Sequence, residues 1–182
     1  MIRQFFTIED FNKTPDKIVG HIAIKIYQPD MTRLTEREVF RAFPEALRTI
    51  ILIINFDTEV SMNSILGFLE NSTGEYLPET AEAFRRIGAE QTSTSLHNVQ
   101  KILERHQAST QQLRDDVSNL PLYSISSFAD THSQSEVMAE EIDQAVSNLY
   151  IYQSSEDREP IWEMLYAYVG ETRNSIVEEL KD

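Results

Sequence analysis

The sequence predicts an all-α protein, a single-domain multi-helix bundle of about seven to nine helices spanning residues 1–182. Apolar residues recur at three- and four-residue spacing along most of the chain, the period of helices with one buried face. Only five Gly and six Pro interrupt 182 residues, too few for a turn-rich β architecture. Hydrophobic content of 41% and charged content of 25% are ordinary globular values, and the length suffices for one real core.

Residues 16–27 fit two periods. Ile18, Ile22 and Ile26 keep helical spacing, whereas Ile22, Ile24 and Ile26 alternate like a strand; helix is the reading adopted. Gln28-Pro29-Asp30 breaks the element. Thr35 with Glu38 forms a capping box, which starts a helix near Glu36. Pro44 either kinks that helix or opens the next. Phe43, Leu47, Ile50/Ile51 and Ile54 then form one helical face, although the β-branched run 50–54 pulls towards strand. Helix through Asp57 and Val60 is expected, buried on most sides.

Ser64 to Glu70 reads as a short amphipathic piece, followed by a turn at Asn71-Ser72-Thr73-Gly74. Pro78 opens a helix with Ala81, Phe84 and Ile87 inward, and Gly88 ends or bends it. Leu96, Val99, Leu103 and His106 mark another helix, and residues 107–119 extend it or form a further one. Asn119-Leu120-Pro121 breaks the chain, and 122–134 read as a Ser-rich irregular connection. Ser135 then caps a helix with Met138, Ile142, Ala145 and Leu149 as its stripe. A loop at 154–157 precedes the last helix, which Pro160 starts and which turns Ile161, Leu165, Tyr168 and Val169 inward. No internal repeat or domain boundary stands out.

Charge is unevenly placed. Residues 111–182 hold fifteen Asp/Glu against four Lys/Arg, eleven of the fourteen net negative charges. Such a field repels nucleic acid and attracts basic protein surfaces. Zero Cys excludes disulfides, thiolate metal sites and a thiol nucleophile. The N-terminus reaches acidic residues too soon for a signal peptide, and the run Ile50–Ile54 is too short to span a bilayer. A soluble cytoplasmic protein is expected.

Catalytic signatures are absent from the sequence. The four His residues are scattered, and His97 and His106 lack the i, i+4 spacing of a helical metal pair. A hydrolase pocket built from His97, His106 and nearby carboxylates is the weakest of the functional readings. No nucleophile elbow or phosphate-cradling Gly-rich loop occurs, and no cofactor is expected. Arg85-Arg86 lies among Glu79, Glu82 and Glu90, where ion pairing outweighs phosphate binding.

The acidic half carries the partner signal. Glu136, Glu140 and Asp143 follow i, i+4, i+7 and share a helix face opposite Met138 and Ile142. Carboxylates four residues apart sit about 6 Å apart along the axis. Glu141, Asp115, Asp116, Glu156, Asp157, Glu159 and Glu163 add to this candidate acidic surface. A row of carboxylates imitates phosphates, which are also charged acceptors repeated along a backbone. A merely solubilising surface accounts for the same charge. Tyr150, Tyr152 and Trp162 are candidate interface aromatics, with packing of the last helix as the simpler role for Trp162.

The stretches Asn55-Phe56-Asp57-Thr58-Glu59-Val60-Ser61-Met62-Asn63, Gly67-Phe68-Leu69-Glu70-Asn71-Ser72-Thr73-Gly74 and Ala83-Phe84-Arg85-Arg86-Ile87-Gly88-Ala89 carry a resemblance. They resemble a bacterial domain family of unknown function whose best-known member is an acidic DNA-mimic protein. Asn71-Ser72-Thr73-Gly74 and Ile87-Gly88-Ala89 follow the family pattern, and Phe84 stands where Leu is usual. The family's Gly-Gly-Phe-x-Gln-Phe/Tyr-Phe reads Asn63-Ser64-Ile65-Leu66-Gly67-Phe68-Leu69 in this chain, without the double Gly or the Gln. The motif core spans about 35 residues, with looser similarity over roughly 35–170. The resemblance implies an all-α fold, homodimerisation and no catalysis.

The leading expectation is therefore a non-enzymatic acidic module that binds a basic protein, a DNA-binding transcription regulator, and competes with DNA. The alternative is an immunity-type or regulatory protein that binds one toxin or enzyme through Trp162 and the tyrosines. Neither reading involves direct nucleic-acid or membrane binding.

Overall fold

The computed structural model describes residues 2–29, 31, 36–121, 127–132, 135–154 and 156–181. Among them are nine α-helices and no strand, and 75% of the described residues are helical. Two 3-10 turns at Ile2–Gln4 and Ile8–Phe11 lead into α1 (Pro15–Lys25), α2 (Arg37–Arg41) and α3 (Glu45–Glu70). A 3-10 turn at Ser72–Tyr76 connects to α4 (Leu77–Arg86) and α5 (Glu90–Arg105). Then come α6 (Thr110–Ser118), α7 (Phe128–Thr131), α8 (Ser135–Val146) and α9 (Ile161–Glu179).

Both ambiguous stretches are helical. In α1, Ile18, Val19 and Ile22 are buried while Ile24 is 70% exposed. A strand would have put Ile24 on the same face as Ile22, so the helical period wins. The run Ile50–Ile54 is buried throughout because α1, α4, α6, α8 and α9 all contact α3. Packing on every side overrides the β-branched preference for strand. By length and composition α3 is also long and apolar enough to cross a membrane, yet it forms the central element of the bundle.

Pro44 opens rather than kinks: it is the N-cap of α3. The Thr35 half of the expected capping box lies outside the described residues, as do Asp30, most of 122–134 and Ser155; α2 itself begins at Arg37. Pro78 sits in the first turn of α4. Gly88, at φ +88°, ends α4 in a left-handed cap, with Gly88 N–H donating to Arg85 O and Ala89 N–H to Phe84 O. Helix α5 ends the same way on Gln107, at φ +53°. That reversal separates α6 from α5, and Ser109 caps α6 by accepting from Gln112 N–H at 3.2 Å.

One expectation is corrected: the stretch read as an irregular connection contains the short helix α7, which Ser127 caps by accepting from Asp130 N–H. Another holds: the helical dihedrals of α3 break at Ser64, and a short helical piece resumes beyond it to Glu70. Leu149 is buried as expected, although α8 ends before it at Val146.

The break has a structural purpose. It turns Phe68 and Leu69 into the core, where the Phe68 ring stands 5.0 Å edge-on to Phe56, itself 5.2 Å from Phe84. The following turn then folds hard against it. A Cβ on Gly74 would lie 2.5 Å from Phe68 O and 2.7 Å from Leu69 O, so only glycine fits there.

The chain ends are tied to the bundle. Phe5, Phe6 and Phe11 are buried, and Phe5 and Phe6 both meet Phe43 edge-on. Arg3 donates to Leu180 O, and Arg173 donates to Lys13 O. Asp10 anchors this region to α1: it accepts from Thr7 N–H and Lys25 Nζ and pairs with His21 Nε2 at 2.6 Å. Burial alone would push its carboxyl up, but the Lys25, Thr7 and His21 contacts outweigh that and hold it lowered to about 2.

Two stability predictions follow from these features. An Asp whose folded pKa lies below its unfolded value stabilises above the unfolded pKa and loses that contribution as pH falls through the folded one. Asp10→Asn is therefore expected to cost about 2 kcal/mol at neutral pH and much less near pH 2. Urea titrations at the two pH values check this; an equal cost at both refutes the linkage. Ser64 sits at φ 63°, ψ 179°, a region that is essentially glycine-only. Ser64→Gly removes strain that exceeds the added chain entropy, for a net gain of about 1 kcal/mol and a melting point roughly 2–4 °C higher. Calorimetry showing no rise would count against strain at this position.

Candidate functional site

The expected carboxylate row is displayed by α8. Glu136, Glu140 and Asp143 are all exposed, while Met138, Ile142 and Val146 are buried on the other face. None of the three acidic side chains has a hydrogen-bond or ion-pair partner among the described residues. Asp115, Glu156, Asp157 and Glu163 are exposed as well. Gln111 donates to Asp115, and Ser154 donates to Asp157, so two of these four are held locally.

The remaining acidic candidates serve inside the fold. Glu159 accepts from Gln91 N–H and Thr92 N–H, both at 2.8 Å, and from the Thr92 hydroxyl at 2.6 Å. Those amides belong to the first turn of α5 and have no intrahelical acceptor. Glu159 thus caps α5 from the entrance of α9, with its charge at the positive end of the helix dipole. Glu141 pairs with His106 at 2.7 Å and Arg105 at 3.2 Å, joining α8 to the end of α5. Asp116 meets Nδ1 of His132 at 3.0 Å, and Glu70 meets its Nε2 at 2.9 Å. The buried His132 ring therefore links α6 to the end of α3.

Of the aromatic candidates, Tyr150 is withdrawn from any interface. It is buried, and its hydroxyl donates to Asp57 on α3. Burial pushes the Asp57 carboxyl up, partly offset by that hydrogen bond, and burial with the Asp57 charge pushes the Tyr150 phenol up. Trp162 is half-buried against the core, in line with its simpler expected role. Tyr152 remains 47% exposed. Its phenol is raised first by partial burial and further by the Asp143 charge, against a lowering backbone contact at Ile65. It therefore lies beside the carboxylate row.

The histidines do not converge on a catalytic centre. His97 is held by Ser93 on its own helix, and His106 by Glu141. No group of three or more His, Asp or Glu side chains among the described residues is placed to hold a metal ion. Arg85 and Arg86 pair with Glu82 and Glu45, as their acidic neighbourhood predicts.

Sequence reasoning missed one assembly. Tyr27, Asn55, Glu59, Thr73 and Tyr76, far apart in the chain, line one cavity beside α3. Asn55 and Glu59 are four residues apart, one turn of a helix, and that spacing could have drawn attention to them. The partners from α1 and the 3-10 turn had no such signal.

The fold and its exposed row define an all-α protein with an acidic helix face. A model of the DMP19-like protein family matches residues 41–172, and the chain belongs to that family. No curated protein matches the chain. No solved structure matches it either.

The internal role of Glu159 is directly testable. Glu159→Gln keeps the shape but weakens a charged cap, and is expected to cost about 1 kcal/mol in urea unfolding. A stability equal to that of the parent protein would show that the negative charge adds nothing to the cap.

Proposed function

We propose that this protein is a non-enzymatic, cytoplasmic interaction module whose α8 row stands in for DNA phosphates on the DNA-binding surface of a basic regulator. The observation that carries the reading is the state of Glu136, Glu140 and Asp143. They are exposed, share one face, and form no ion pair among the described residues. Like charges at i, i+4 cost a helix a few tenths of a kcal/mol. Ion pairs elsewhere relieve Glu141 and Glu82, but this row is left for solvent or a partner. Membership of the DMP19-like family supports the same reading, because the family that the sequence resembles includes an acidic DNA mimic. The aromatic alternative is weaker, because Tyr150 is in the core and Trp162 is half-buried.

The test uses a basic DNA-binding protein captured from the native host and then purified. Glu136→Gln, Glu140→Gln and Asp143→Asn together are expected to weaken its binding at least about tenfold, each tenfold being about 1.4 kcal/mol. Binding should also fall as salt rises, since exposed charges are screened within about 10 Å at 0.1 M. A DNA duplex should displace the module from its partner. Unchanged affinity in a folded triple variant, or failure of DNA to compete, rejects this surface.

A further inference from the structure

The cavity beside α3 is built like a binding site. Its volume is about 340 Å³, at the lower end of the range for small-molecule pockets, roughly 300–1,000 Å³. Ile26, Met31, Phe40, Ile51 and Leu52 give it apolar walls. Two hydroxyls in its lining, Thr73 Oγ1 and Tyr76 OH, are buried without a hydrogen-bond partner among the described residues. Tyr76 is only 8% exposed, and burial pushes its phenol up. A buried hydroxyl without a partner costs stability, and a phenylalanine in its place would avoid the cost. Both hydroxyls lie just below the surface that solvent reaches, on residues that line the cavity, so a ligand group would meet them after a small side-chain shift and supply the missing partners.

The charge of the lining selects the ligand. Glu59 is the one ionisable carboxylate among the described lining residues, and no Lys or Arg joins it. Asn71 donates to its Oε2. Tyr27, whose hydroxyl donates to Asn55 at 3.0 Å, adds an aromatic wall to the same cavity. At the other side the Phe40 and Tyr76 rings lie 4.9 Å apart. A carboxylate with aromatic walls suits an organic cation, through ion pairing and cation–π attraction, and disfavours an anion. We infer that this cavity binds a small organic ammonium compound with an apolar or aromatic body, its ammonium at Glu59 and a polar group at Thr73 and Tyr76. The site is separate from the α8 row and does not depend on the function proposed for it.

Tyramine is a fitting probe, because it carries an ammonium at one end and a phenol at the other. Calorimetry is expected to show saturable binding of tyramine, weaker binding of phenethylamine, and none of 4-hydroxyphenylpropionate. Glu59→Gln, which keeps an acceptor for Asn71, should weaken tyramine at least about tenfold. Tyr76→Phe should weaken it while leaving the melting temperature unchanged or higher. Tyr27→Ala, at a 55% exposed position, gives a second reading that does not hinge on folding. The α8 triple variant should bind tyramine like the parent. No saturable tyramine binding, equal binding of the propionate, or full affinity in folded Glu59→Gln would each overturn the proposal.

Discussion

The structure depends on burying the middle of α3, Ile50 to Ile54, from all sides. A helix with apolar residues on every face is stable in water only when neighbours cover each face. Ile50 to Ile54 and Phe56 meet that condition through contacts with five other helices. The cover closes at the end of α3 as well, where Ile65, Phe68 and Leu69 are buried beyond the break at Ser64. That break redirects the last turn and a half. Its cost is one residue in backbone space that side chains rarely occupy. The tight turn that follows needs Gly74, because the main chain of Phe68 and Leu69 leaves no room for a Cβ.

This geometry gives a physical meaning to the sequence pattern around it. The family pattern has a double glycine where this chain has Asn63-Ser64, and Ser64 is the residue with glycine-like dihedrals. The surrounding core over-determines the conformation: Ile65, Phe68 and Leu69 are all essentially buried. Asn71 adds a polar tether by donating to Glu59 one helical segment earlier. The Asn-Ser-x-Gly motif is thus a folding device, and its own Thr73 and the following Tyr76 line the cavity.

What was legible in the sequence follows from whether its cause is local. Pro44, Pro78, Pro160 and Gly88 act within a turn of themselves, and each marks a helix end. The α8 stripe was legible because Met138 and Ile142 are buried by helical period alone. The left-handed Gln107 was not, since glutamine carries no preference for positive φ and only the reversal of the chain imposes it. Helix α7 was hidden in a Ser-rich stretch, although Ser127 and Asp130 stand at capping distance. The jobs of Glu159 and Asp116 are set by residues 67 and 16 positions away, beyond any periodicity. The ambiguity at 50–54 was one of propensity against packing, and only the surrounding helices decide it.

The acidic balance takes on a different form once the internal roles are subtracted. Helix capping consumes Glu159, the His132 bridge consumes Asp116 and Glu70, and the α5–α8 junction consumes Glu141. These carboxylates would be retained in a protein with no partner at all, so net charge alone is poor evidence for recognition. Glu136, Glu140 and Asp143 differ because no contact among the described residues requires them to be acidic. Glu136 stands in the first turn of α8, where the helix dipole favours an anion, so folding accounts for part of the row. Glutamine would satisfy the exposed positions of Glu140 and Asp143 equally well, without the like-charge cost. An oriented, unneutralised line of carboxylates is the arrangement that electrostatic recognition of a basic surface uses.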